Sequence, residues 1–147
     1  MLNHHPQQEK IALSNARYKI IRAGRRSGKS TLAIEEMIAL VLSKGNCNIF
    51  YLAPTVKQAR SIIWEELKKR LAGAGKLNES RLEVEISVKD VGTSHLFIAG
   101  WEARENFRGM RADLIIFDEV DTCKDFFIGW QEIFRPALTD TGGGAIF

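Results

Sequence analysis

Residues 22–31 read RAGRRSGKST, set between the apolar run YKII (18–21) and LAIEEMIAL (32–40). The core of the stretch is Ala23-(Gly24-Arg25-Arg26-Ser27)-Gly28-Lys29-Ser30, the spacing of a phosphate-binding loop with Ala in the place of the first glycine. Each residue type has a physical reason. A strand delivers the loop and a helix begins where it ends. Glycines let successive backbone N–H groups curl around phosphate oxygens without a Cβ in the way, and the helix N-terminus adds partial positive charge. Lys29 reaches the β and γ phosphates, and the Ser30 hydroxyl is placed to ligate Mg²⁺. The candidate nucleotide-contacting set runs from Ala23 through Gly24, Arg25, Arg26, Ser27, Gly28, Lys29 and Ser30 to Thr31.

A phosphate loop of this kind needs a carboxylate from elsewhere in the chain. Residues 114–119, Leu-Ile-Ile-Phe-Asp-Glu, supply it: an apolar strand ends in Asp118 and Glu119, at the end where open α/β sheets bind ligands. Asp118 would hold Mg²⁺ through water, and Glu119 would take a proton from an attacking water or orient it. The Asp-Glu pair favours an ATP-hydrolysing motor over a small-molecule kinase or a GTPase. Arg25 and Arg26 are charge beyond what phosphate binding requires. Their plain reading is solvated surface or a carboxylate partner; the sharper one is an arginine finger acting in cis, for which Arg25 is the candidate.

The remaining segments read as alternating strands and helices. A short buried strand is expected over 18–23, a helix over 29–43 ended by Gly45, and a strand over 47–53 stopped by Pro54. Thr55 would cap a helix over 56–72 whose Val56, Ala59, Ile63, Leu67 and Leu71 share one face. Residues 82–88 and 94–99 form a hairpin, read as an antiparallel decoration, and DLIIF (113–117) forms another buried strand. Thr122 to Asp125 resembles a capping box leading a helix to about Leu138, before AIF starts a last strand. The pattern implies an α/β fold with a mostly parallel sheet covered by helices on both faces.

With 147 residues, 45% apolar and 27% charged, the chain has the size and composition of one ordinary domain with a real core. A net charge of +3 permits a polyanionic partner without requiring one. Cys47 and Cys123 form no CxxC pair and read as reduced structural cysteines, and the three histidines lack ligand spacing. His4 and His5 read as part of an exposed arm. No apolar run approaches a bilayer span and MLNHHPQQ has no apolar signal core, so a soluble protein of the cytoplasm with no membrane partner is expected.

Five segments resemble the ATPase domain of the tailed-bacteriophage terminase large subunit: HPQQ (5–8), RAGRRSGKST (22–31), YLAPTVKQARSIIWEELKKRL (51–71), NFRGMRADLIIFDEV (106–120) and RPALTDTGGGAIF (135–147). The APT-x-x-QAR-x-x-x-W and FRG-x-R-AD-L-x-x-x-DE stretches are the specific ones. The resemblance implies a RecA-like P-loop NTPase of the additional-strand, catalytic-glutamate class, using ATP and Mg²⁺. By it Gln8, in a Pro-x-Gln motif, contacts adenine. Lys29 and Ser30 bind phosphate and metal, Asp118 holds the metal and Glu119 activates water. Arg25 acts in cis, and Arg108 is a candidate trans arginine finger, with a structural tie to the Asp-Glu strand as its alternative.

The resemblance further implies double-stranded DNA, a portal protein and a small terminase subunit as partners. It also implies a homo-oligomeric ring in the full-length parent, working at the procapsid portal in the bacterial host cytoplasm. That family continues into a coupling motif and a nuclease domain. Neither is within these 147 residues, so the chain reads as one ATPase domain cut short at its C-terminal end, with no nuclease activity expected and turnover left open. Lys57, Arg60, Lys68, Lys69 and Arg70 put positive charge on the 56–72 helix, whose plain reading is a solvated face. Two rivals stay open on sequence: a RecA-like helicase core, and a nucleotide-binding fragment without turnover.

Overall fold

The computed structural model describes residues 6–24 and 26–147. His4, His5 and Arg25 therefore lie outside the described residues, and with them the arm and the cis-arginine assignments.

Strand β2 (Asn48–Ala53) organises the rest. Its Ile49, Tyr51 and Ala53 join one hydrophobic cluster, while Phe50 and Leu52 join another on the opposite face. A strand buried on both sides needs helices on both. The elements in chain order are α1 (Pro6–Ala12), β1 (Tyr18–Lys19), α2 (Lys29–Ser43), β2, α3 (56–70), β3 (Lys76–Asn78), β4 (Glu83–Val88) and β5 (Gly92–Gly100). A 3₁₀ segment (Trp101–Phe107), β6 (Leu114–Phe117), α4 (126–139) and β7 (Gly144–Ile146) complete them. The seven strands lie in the order β1-β7-β6-β2-β5-β4-β3. All pairings from β1 across to β5 are parallel, and β4 and β3 are added antiparallel. Residues of α2 and α3 fill the first cluster; residues of the 3₁₀ segment and α4 fill the second.

The expected α/β architecture is what forms, with local differences. The 18–23 strand shortens to two residues at a sheet edge, paired only with β7, and Ile20 is 85% exposed. An edge strand has one neighbour and cannot be buried like a central one. The hairpin is no decoration, since β5 pairs with β2 over six residues. β3 was not anticipated; its three residues are all exposed, so no apolar alternation marks it. The expected capping box is absent: Asp125 takes a left-handed backbone (φ 54) without a side-chain cap, and the Thr122 hydroxyl donates to the Glu119 carbonyl instead.

In α3, Thr55 caps as expected, its Oγ1 accepting from the Gln58 N–H at 3.2 Å. Ala59, Ile63, Leu67 and Leu71 are buried at a strict four-residue spacing. A 3.6-residue helix drifts off such a repeat, and one wider i→i+5 turn at Arg60–Trp64 brings the row back onto the core face. Val56, assigned to that face, is instead exposed.

Trp64 is fully buried, and its Nε1 donates to Glu79 at 2.7 Å. Lys68 donates to the same carboxylate at 2.8 Å. The Lys68 and Trp64 hydrogen bonds hold the Glu79 carboxyl below its ordinary 4.5. Its stabilising effect is therefore present above that pH and fades as pH falls through the lower folded value. Both thiols are free, Cys47 buried and Cys123 half-buried, with burial pushing the Cys123 thiol up to about 11.

Replacing Trp64 by Ala is expected to lower unfolding free energy by about 3–5 kcal/mol in denaturant titration. Glu79→Gln should flatten the decline of melting temperature as pH falls below about 4.5, because the replaced group no longer titrates. With its thiol held up at about 11, Cys123 should label slowly with iodoacetamide at about pH 8 in the folded protein and accelerate by roughly 100-fold on denaturation.

Candidate functional site

β1, β7 and β6 run parallel, so their C-terminal ends share one edge of the sheet. A cavity of about 640 Å³ opens there, with Ala23, Lys29, Ser30, Asp118 and Glu119 in its wall. The phosphate loop and the carboxylate strand thus converge, as their sequence predicts. They do so from strands that are not neighbours, because β7 lies between β1 and β6.

The loop's shape comes from its backbone. Arg26 and Gly28 both take positive φ, 61° and 79°, and α2 starts directly after at Lys29. The first-turn N–H groups of a helix have no acceptor within it, and they carry its positive end. A Cβ at Gly28 would collide with the side-chain amide of Gln8. That amide donates from Nε2 to the Ser27 carbonyl at 3.0 Å, seating α1 against the loop. Gln8, Ala23, Ser27, Gly28 and Lys29 line a second hollow of about 230 Å³. Gly24, Arg26 and Thr31 line neither cavity.

Strand alternation decides where the carboxylates go. Leu114 and Ile116 face the α2 side of the sheet, and Ile115 and Phe117 face the α4 side. Asp118 continues the ladder, its N–H donating to Leu52 at 2.8 Å, and falls on the same side as Ile116. Glu119 would next turn toward the α4 side. Instead it takes a left-handed backbone (φ 52, ψ 51), uncommon for a residue with a Cβ. Its carbonyl accepts from both the N–H (3.1 Å) and the hydroxyl (2.8 Å) of Thr122. The turn leaves Glu119 exposed on the cavity wall.

A wall residue bonded to the carboxylate strand was missed in the sequence. Tyr51 on β2 is 1% exposed and donates its hydroxyl to Asp118 Oδ2 at 2.9 Å. Burial first, then the negative charge of Asp118, drives the phenol far above its ordinary value, so it stays protonated and acts as donor. The available signal was a single hydroxyl within the apolar run 49–53.

Ser30 and Asp118 provide one hydroxyl and one carboxylate on a shared wall, and no group of three or more His, Cys, Asp or Glu suited to a metal occurs among the described residues. That donor set fits Mg²⁺, which favours one or two carboxylates completed by phosphate and water over a cage made of protein alone. Arg108 lies in neither cavity. Its Nε donates to Glu105 at 2.9 Å and its guanidinium pairs with Glu132 at 3.5 Å. It ties the 3₁₀ segment to α4, and its alternative assignment as a tie to the Asp-Glu strand is not what forms.

Residues 20–135 match the family model described as terminase large subunit, T4likevirus-type, N-terminal. The terminase large subunit of Thermus virus P23-45 is 27% identical across 99% of this chain, which spans about a third of that relative (34%). The Thermus phage P74-26 large terminase ATPase domain superposes with a TM-score of 0.81 at 28% identity, covering 97% of this chain and 63% of that one. The large terminase of another thermophilic bacteriophage, solved in complex with ATP-gamma-S, shares the fold at a TM-score of 0.77 and 17% identity, over 97% of this chain and 36% of that one. Matched along most of its length, with the loop and the Asp-Glu strand meeting at one cavity, the chain belongs to the terminase large subunit family, in its T4likevirus-type N-terminal part.

Proposed function

We propose that this chain binds ATP with Mg²⁺ and hydrolyses it as the ATPase part of a viral DNA-packaging terminase. In the whole protein the hydrolysis would be coupled to moving double-stranded DNA into a capsid. The observation that supports this most is the meeting of Lys29, Ser30, Asp118 and Glu119 in the wall of one cavity. A triphosphate fits the chemistry of that wall: an amine and helix N–H groups for the phosphates, a hydroxyl and a carboxylate for the metal, and a second carboxylate for water.

In this reading Lys29 neutralises charge at the β and γ phosphates. The α2 N-terminus takes the remaining phosphate oxygens at low reorganisation cost. Ser30 and Asp118 would hold Mg²⁺, which when bound offsets phosphate charge. Glu119, exposed on the wall, orients the attacking water and takes its proton. Gln8, seated against the loop at Ser27, would contact adenine. Arg25 serves as a finger in cis. Arg108, half-exposed and held only by surface carboxylates, can leave them at little cost to act in trans in a ring of subunits.

The wider setting belongs to the same proposal: a homo-oligomeric ring on the portal, served by a small terminase subunit, in the host bacterial cytoplasm at the procapsid. No helix among the described residues is long and apolar enough to cross a membrane. Of the basic residues of α3, Arg60, Lys68 and Arg70 are paired with Glu35, Glu65, Glu66 and Glu79, which leaves the exposed Lys57 and Lys69 as the charges this helix can offer to DNA.

Lys29→Ala should weaken nucleotide binding by roughly 10–100-fold, the loss of charge-assisted hydrogen bonds to phosphate. Glu119→Gln should keep ATP affinity while turnover falls by about 10²–10⁴. Fluorescent-nucleotide anisotropy and phosphate release measure the two quantities. Equal loss of both in Glu119→Gln would contradict its role, and binding without turnover by the native sequence would mark this stretch as a nucleotide-holding fragment.

A further inference from the structure

Asp118 is held from the neighbouring strand. Tyr51 sits opposite Ile116 in the β2–β6 register, so Asp118, two residues further on, is its diagonal neighbour on the same sheet face. Strands lie about 4.8 Å apart and two residues advance about 6.6 Å along one of them, a gap that a tyrosine spans and a short side chain does not. The hydroxyl closes the distance to 2.9 Å from Oδ2.

The rest of the Tyr51 side chain belongs to the cluster beneath α2, together with Ile34, Met37 and Ile116. A phenylalanine would fill that space equally well and would bury no hydroxyl. A buried hydroxyl is costly unless bonded. Here its bond goes to the one carboxylate that the metal reading requires.

We infer that Tyr51 is a positioning residue for the metal: its hydroxyl fixes the Asp118 carboxylate through Oδ2, leaving the other oxygen as the one that would serve Mg²⁺. The inference rests on the nucleotide reading of the same site and adds a residue that neither motif contains. The phenol touches neither substrate nor metal. Its effect passes through the orientation of Asp118, as an outer hydrogen-bond partner of a metal ligand does.

The test uses Tyr51→Phe in the whole chain, with Asp118→Asn as reference. Mn²⁺ binding in the presence of ADP is followed by electron paramagnetic resonance. Fluorescent ADP binding is measured with EDTA and with Mg²⁺, and melting temperature is recorded beside them. The expected result is a roughly 10–100-fold weaker Mn²⁺ affinity in Tyr51→Phe, with ADP affinity in EDTA unchanged and a melting temperature near that of the native chain. A role in packing alone would weaken ADP binding equally with and without metal, and that result would overturn the inference. So would a Mn²⁺ affinity equal to that of the native chain. Failure of the native chain to bind ADP at all would remove the nucleotide reading itself, an outcome separate from either result for Tyr51.

Discussion

The pairing of β6 with β2 is the constraint on which the site depends. Leu52 opposes Phe117, and the Asp118 N–H reaches the Leu52 carbonyl at 2.8 Å. A slip of one residue in that register would move Asp118 to the opposite face of the sheet, away from α2, Lys29 and Tyr51. Burial on both sides prevents the slip. Ile115 and Phe117 are committed to the α4 face, and Leu114 and Ile116 to the α2 face. The same hydrophobic alternation that builds the core therefore places the carboxylate.

The α4 face is unusually aromatic. Phe117 lies 5.0 Å from Phe126, 6.0 Å from Trp130 and 5.1 Å from Phe134 between ring centres, all edge-on, with Phe147 stacked 5.4 Å away. Edge-to-face packing of this kind is directional, so the strand carrying Asp118 and Glu119 is anchored from behind by rings. Phe147 follows β7, the strand inserted between β1 and β6. β7 thus spaces the loop from the carboxylates and also braces the carboxylate strand. Its backbone continues the link: the Ile21 N–H donates to the Phe147 carbonyl at 2.8 Å, on the way into the loop.

Charge is organised for different ends in different places. On α3, Arg60, Lys68 and Arg70 pair with Glu65, Glu66 and Glu79. At the cavity, Lys29 shares a wall with Asp118 and Glu119, and the lysine and the carboxylates serve different parts of a bound nucleotide: phosphate for the one, metal and water for the others. A buried hydroxyl and a left-handed glutamate are uncommon choices for stability alone, and both occur at this cavity.

Much of this was legible in the chain. The loop spacing around Lys29, the Asp118–Glu119 ending of an apolar strand, the Thr55 cap and the two-faced burial of β2 are local patterns. Local stereochemistry reads the same in sequence and in structure. The short β1, the exposed β3, the wide turn in α3 and the failed cap at Asp125 were not legible. Each is settled by its surroundings in the fold: a sheet edge, a lack of covering helix, a core row to be kept in line, and a competing carbonyl at Glu119. The sequence alone determined which groups the site contains. Tertiary structure alone decided that β7 separates them, that Tyr51 holds one of them and that Glu119 turns back toward the cavity, because those outcomes depend on strand order and register, which arise from contacts between residues far apart in the chain.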